Sequence, residues 1–229
     1  VAFISAGDGY LTVLNLFGTD SPDGQRRLLE VMRDIIDSAD YDGWISSTLF
    51  GGEDEPGTAN YIQWRSAADL ERRYEGEKFR HETIPLFNEI STSIRLLKTE
   101  VVFSRLHPSR ERIEISPQVD DYSVIVVMGV EPDNQQELVE LFGQDDEWVT
   151  TVPGYRSNSI LRGLDGTFVV NIAQWESKER YDAFHQLPEQ ERPADVRAIR
   201  ERARSLLTSR DANTYRVVHT RSADVSAPS

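Results

Sequence analysis

Apolar positions in this chain fall into short runs separated by turn residues, and the runs predict strands and helices in a fixed order. Residues 10–17 (YLTVLNLF) are a β-rich apolar run of the kind that forms a buried strand. Asp20-Ser21-Pro22-Asp23-Gly24 is a turn cluster that can also cap a helix, and over 25–37 Leu28, Met32, Ile35 and Ile36 recur at helical spacing. Residues 44–50 form a second strand, 51–57 (GGEDEPG) a hairpin loop and 58–64 a third strand. Helical pieces over 66–74 and 78–90 and an extended stretch over 93–106 complete a β-α-β-β-α-β unit. Residues 106–120, with two prolines and several charges, read as a linker, and residues 1–9 as a short leader.

The same order then repeats. Strands are expected over 122–130, 156–161, 167–175 and 213–220, the middle two meeting at Leu164-Asp165-Gly166, and helices over 135–149, 177–187 and 193–207. The tail 222–229 is expected to be disordered. Asn60-Tyr61-Ile62-Gln63-Trp64-Arg65-Ser66 recurs as Asn171-Ile172-Ala173-Gln174-Trp175-Glu176-Ser177, a shift of 111 residues that also lays Gly18 on Gly129 and Gly43 on Gly154. The chain is therefore a tandem duplication of a domain-sized unit of about 100 residues. A β-α-β-β-α-β unit is ferredoxin-like, an antiparallel sheet with helices on one face. Its bare face must be covered. The expected class is α+β: two tandem ferredoxin-like domains, 10–105 and 121–221, packed sheet to sheet as an intramolecular pseudo-dimeric α+β barrel.

Composition narrows the chemistry. A net charge of −14 repels phosphate backbones and argues against nucleic acid as a partner. No apolar stretch approaches a membrane span, no basic run suggests an anionic membrane, and residues 1–6 are too short for a signal-peptide core. The absence of cysteine excludes disulfides and thiolate chemistry and fits a cytoplasmic setting. The chain starts at Val1 rather than Met, so initial residues are expected to be missing or processed. No phosphate-cradling glycine motif is present, and the four histidines form no metal-ligand spacing, so neither a metal nor a tightly bound nucleotide cofactor is expected.

Three asparagines stand out. Asn60, Ile62 and Trp64 share one face of their strand, and Asn171, Ala173 and Trp175 share the equivalent face. Asn15 lies in the first strand, which neighbours the third in a ferredoxin-like sheet, so it can lie beside Asn60. A buried Asn without a partner costs about 1–3 kcal/mol, so these residues either bond to nearby backbone or line a polar pocket with apolar walls. The counterpart of Asn15 in the second copy is Val126. On this ground the first copy is expected to hold the larger ligand pocket and the second to be reduced or structural. Tyr61 in the motif, and Tyr74, Arg80 and His81 on the following helices, are the candidate substrate contacts; none is an obvious general base.

On Asn15 and Asn60 to Trp64 in the first copy, and on Pro153-Gly154-Tyr155, Asp165-Gly166 and Asn171 to Trp175 in the second, the chain resembles the antibiotic biosynthesis monooxygenase family. The resemblance spans both repeats. It implies O2-dependent oxidation of a polycyclic aromatic polyketide, with Asn15, Asn60 and Trp64 as the catalytic set and no metal or tightly bound cofactor. Its tandem form looks nearest to angucycline ring-opening oxygenases of jadomycin, gilvocarcin and kinamycin assembly. That likeness implies oxidative ring cleavage, reduced flavin (FADH2 or FMNH2) as a diffusible co-substrate, and a flavin reductase as partner. Phenol- or anthrone-to-quinone oxidation is the alternative. A homodimer of the pseudo-dimer is also compatible. Two rival readings stand: haem degradation, for which His185 sits ten residues after Trp175, and a non-catalytic ligand-binding barrel.

Overall fold

The computed structural model describes residues 1–144 and 147–223. In chain order the strands and helices are β1 (Ala2–Ile4), β2 (Leu11–Gly18), α1 (Pro22–Asp37), β3 (Trp44–Gly52), β4 (Gly57–Trp64), α2 (Ala67–Glu75), α3 (Ile84–Ile90), β5 (Ser93–Leu106), β6 (Ile113–Ile115), β7 (Tyr122–Val130), α4 (Gln135–Phe142), α5 (Glu147–Thr151), β8 (Tyr155–Gly163), β9 (Phe168–Trp175), α6 (Lys178–Gln186), α7 (Ala194–Leu206) and β10 (Leu207–Ser222). A π-helical turn, Phe79–Thr83, leads into α3. Ser66 and Ser177, which close the repeated motif, cap α2 and α6 by accepting from the backbone N–H of Asp69 and Arg180.

The repeats build one closed antiparallel barrel in the order β10-β3-β4-β2-β5-β8-β9-β7. Each half contributes four neighbouring strands. Its last strand then crosses to the other half: β5 pairs with both β2 and β8, and β10 with both β7 and β3. These strands run 14 and 16 residues, long enough to serve two partners, and register shifts at Val101/Phe103 and Val217/His219 ease their turn around the barrel. The pseudo-dimeric α+β barrel is thus present. It closes edge to edge, where β5 and β10 extend beyond their own halves to pair with the other. Strand β10 is twice the predicted length, because its first residues, 207–212, are exposed or half-buried and find their pairing only on β7.

Strand alternation divides the side chains between two environments. Leu14, Tyr61, Ile125 and Ile172 fill the barrel interior. Val13, Phe17, Trp64, Val124 and Trp175 face the helices outside it. One end of the interior is plugged by a feature absent from the sequence reading. The leader and the linker each contain a three-residue strand, and β1 and β6 pair antiparallel, with Phe3 opposite Glu114. The glutamines of the repeated motif hold this plug. Gln63 Nε2 donates to the carbonyl of Phe3 at 3.1 Å and Gln174 Nε2 to that of Glu114 at 2.7 Å, while Ser46 and Ser157 donate to their Oε1 atoms. The predicted helix 135–149 is split, with Gly143 as the C-cap of α4. Residues 224–229, most of the predicted tail, lie outside the described residues.

Candidate active site

Each half forms a cavity between the outer face of its sheet and its helices. In the first half Asn15 and Asn60 are direct register partners on β2 and β4, and both face the helices. They line a cavity with Trp64 and Tyr74. Asn15 Oδ1, Asn60 Oδ1, Trp64 Nε1 and Tyr74 OH are all buried without a hydrogen-bond partner. Burial pushes the Tyr74 hydroxyl up to about 12, an effect that the neighbouring Asn15 amide and the Arg73 charge only partly oppose. The phenol is therefore neutral at working pH. Four orphaned polar atoms around one space are unusual for a core.

The space itself is small. Tyr74 stacks on Phe79 at 4.7 Å, Arg73 covers Tyr41 and Phe79, and Phe87 packs edge-on against Phe17 at 5.0 Å. About 70 Å3 remains, room for about two waters and not for a polycycle. The other predicted contacts do not reach it. Tyr61 is on the alternate face of β4, wholly buried in the barrel interior, where burial raises its hydroxyl pKa. Arg80 and His81 lie on the exposed side of the π-helical turn, His81 paired with Glu77 at 3.0 Å.

The second half holds the larger cavity, about 470 Å3, which reverses the expectation from Val126. The reason is the loss of two rings. Phe17 corresponds to Met128. Gly18 pairs with Ser93 on β5 and Gly129 with Ser209 on β10, a shift of 116, so five extra residues lie between α6 and α7 and Phe87 corresponds to Ala203. Met128 and Ala203 both line the enlarged space. Val126 in place of Asn15 removes a polar group without closing the space.

Asn171, opposite Val126 on β7, lines this cavity with Trp175 and His185, and Asn171 Oδ1 is buried without a partner. Trp175 is held by Phe184 at 4.9 Å, Tyr155 at 5.8 Å and Tyr181 at 6.0 Å. His185 stands edge-on to Tyr181 at 4.4 Å. Burial lowers its pKa below the ordinary 6.5, and the charges of Arg210, Arg200 and Arg192 lower it further. The imidazole is thus neutral at pH 7 and able to accept a proton. Arg192 is buried with its guanidinium 4.6 Å from the Phe184 ring. Sequence reasoning weighed His185 only as a haem-site residue and missed the arginines. The signal was there in part: Arg200 and Arg204 are spaced to share one helix face. No group of His, Asp and Glu able to hold a metal occurs among the described residues.

Comparison with known proteins bears on this half. The antibiotic biosynthesis monooxygenase model matches residues 121–195. Tetracenomycin-F1 monooxygenase of Streptomyces glaucescens is 36% identical over 75 residues, 32% of this chain and 67% of that protein. A solved anthrone oxidase-like protein is 44% identical, with a TM-score of 0.93 and 97% of both chains covered. The chain belongs to the antibiotic biosynthesis monooxygenase family. As a family member it is a monooxygenase, an oxidoreductase. The segment matched by the family model carries Asn171, Trp175 and His185, the residues that line the larger cavity. The fold is wider than the family. A staphylococcal pathogenesis regulator shares it at TM-score 0.51 and 12% identity, covering 91% of this chain and 99% of its own.

Proposed function

We propose that this monooxygenase oxidises an aromatic polyketide phenol or anthrone to a quinone with O2, in the cavity of the second half. The observation that carries the reading is the 470 Å3 space itself, lined by Trp175, Asn171 and a neutral His185 inside the family-matched segment. Its volume is in the range of small-molecule sites. Quinone formation is favoured over angucycline ring opening because the 44% identical structure carries the description anthrone oxidase-like.

The residues fit a balanced sequence of steps. His185 accepts a proton from the anthrone methylene or phenol, leaving an anion whose charge spreads onto the ring oxygen. The Asn171 amide stabilises that oxygen. The anion passes one electron to O2, and the radical pair recombines to a peroxide anion, which takes the proton back from His185 to become a hydroperoxide. Loss of water then gives the new C=O, one oxygen atom leaving as water. Trp175 supplies a flat wall for the polycycle.

A second reading puts the chemistry at Asn15, Asn60 and Trp64, favoured by their orphaned polar atoms. It requires Tyr74 or Phe79 to move, since 70 Å3 does not admit three fused rings. Turnover of an anthrone under 18O2 with chelator present tests the reaction. Label in the quinone that survives chelation and needs no flavin reductase supports quinone formation. Activity restored only by iron sinks the mechanism, and ring-opened product that depends on a reductase returns the assignment to ring cleavage. Asn171→Ala against Asn60→Ala decides between the cavities.

A further inference from the structure

The larger cavity carries a charge opposite to that of the chain around it. Arg105, Arg192, Arg200, Arg204 and Arg210 line it, and no Asp or Glu does so among the described residues, in a chain of net charge −14. Some of this charge is engaged. Glu189 pairs with Arg200 at 3.2 Å, and Arg105 bonds to the Gln144 carbonyl at 2.7 Å. Arg192 is different. It is only 3% exposed, its Nη2 donates to the Phe184 carbonyl at 2.8 Å, and its Nε and Nη1 have no hydrogen-bond partner. Its carboxylate neighbour Glu189 stands 3.7 Å away, beyond hydrogen-bonding distance, and is shared with Arg200. A guanidinium withdrawn from water and left half-paired is costly unless an anion completes it. Arg204 and Arg210 are exposed and make no ion pair among the described residues.

We propose that this cavity selects a polycyclic aromatic substrate bearing a carboxylate, with Arg192 as the anchor and Arg204 and Arg210 drawing the anion in. The proposal rests on the assignment of this cavity as the substrate site. An aryl carboxylate fits better than a phosphate. It is a delocalised monoanion, less costly to dehydrate than a dianion, and its planar group matches the guanidinium fork. Its rings would lie against the same wall, where Phe184 and Trp148 face Arg192 at 4.6 and 5.9 Å.

The test is titration of the intact protein with anthraquinone-2-carboxylate, its methyl ester and FMN, followed by tryptophan fluorescence. The acid is expected to bind at least tenfold more tightly than the ester, and added salt should narrow the gap. The double variant Arg204→Gln/Arg210→Gln, both exposed positions, should weaken the acid about tenfold and leave the ester unchanged. Arg192→Lys, checked for folding by circular dichroism, should weaken the acid alone. Equal affinity for acid and ester, or equal loss of both in the variants, overturns the carboxylate proposal and leaves the cavity as an aromatic site. Binding of neither overturns both. Arginine-dependent binding of FMN tighter than that of the acid also overturns it and reassigns the arginines to a flavin phosphate.

Discussion

Asn60 and Asn171 occupy equivalent positions, but their surroundings give them different prospects. Both have a buried, unpartnered Oδ1. Only Asn171 adjoins a space that admits a fused-ring ligand. Asn171→Ala and Trp175→Phe are therefore expected to lower kcat/KM by about tenfold or more, as for loss of a positioned donor, with Asn60→Ala within about twofold of wild type in steady-state kinetics. His185 adds a pH signature. Its folded pKa lies below the ordinary 6.5, so the neutral base persists into mild acid and the acid limb of kcat/KM should fall below pH 6.5. The linkage has the same sign. Between the folded and ordinary values the unfolded chain binds the proton and the folded chain does not, so stability rises with pH through that window. His185 contributes fully above pH 6.5, and its contribution is lost as pH falls through the folded value. A His185→Ala variant that retained wild-type activity and the same acid limb would remove it as the base.

The helices set the cavity volumes. Phe87 on α3 closes the first cavity against Phe17, and Ala203 on α7 leaves the second open. Ala203→Phe should fill the second cavity and abolish polycycle binding while the protein still folds, measured by ligand titration beside thermal melting. The reverse change, Phe87→Ala, should enlarge the first cavity at a cost of about 3–5 kcal/mol in denaturant unfolding. The short plug strands depend on side chains from the main barrel. Gln63 and Gln174 are both buried and each bonds one plug strand, so replacing either by Ala should cost about 1 kcal/mol by leaving a half-buried carbonyl without its partner. Loss of protease resistance confined to the leader and linker would be the matching local readout.

The barrel closes through β5 and β10, each paired to both halves, so neither half closes a barrel alone. An isolated half would expose two long unpaired edges and the apolar interior face of its sheet. Fragments 1–118 and 119–229 are therefore expected to copurify as a folded pair when expressed together, and each alone to aggregate or self-associate. A monomeric fragment with native-like circular dichroism would contradict this. The acidic exterior and the arginine-lined cavity also act together: the exterior repels free anions over a Debye length while the cavity draws them in, so the rate of carboxylate capture should depend on salt.

Much of this was legible along the chain, because its signals are local or periodic. Alternation over 58–64 assigned Asn60 and Trp64 to one face and Tyr61 and Gln63 to the other, and the 111-residue shift carried that assignment to Asn171 and Trp175. The strand order followed from turn residues and runs, and it implied the neighbouring of Asn15 and Asn60. The cavity sizes could not be read this way. They depend on contacts such as Phe17 with Phe87, seventy positions apart, and on five inserted residues that break the constant shift before α7. The arginines are scattered along the chain, and only folding turned Arg192 inward and brought Arg105 and Arg210 to the same space from different strands. The plug escaped notice because three-residue strands carry too little pattern to register, and β1 and β6 exist only because each supplies the other's hydrogen bonds. Periodicity records which face a side chain takes; volume and charge convergence arise from residues that meet only when the barrel closes.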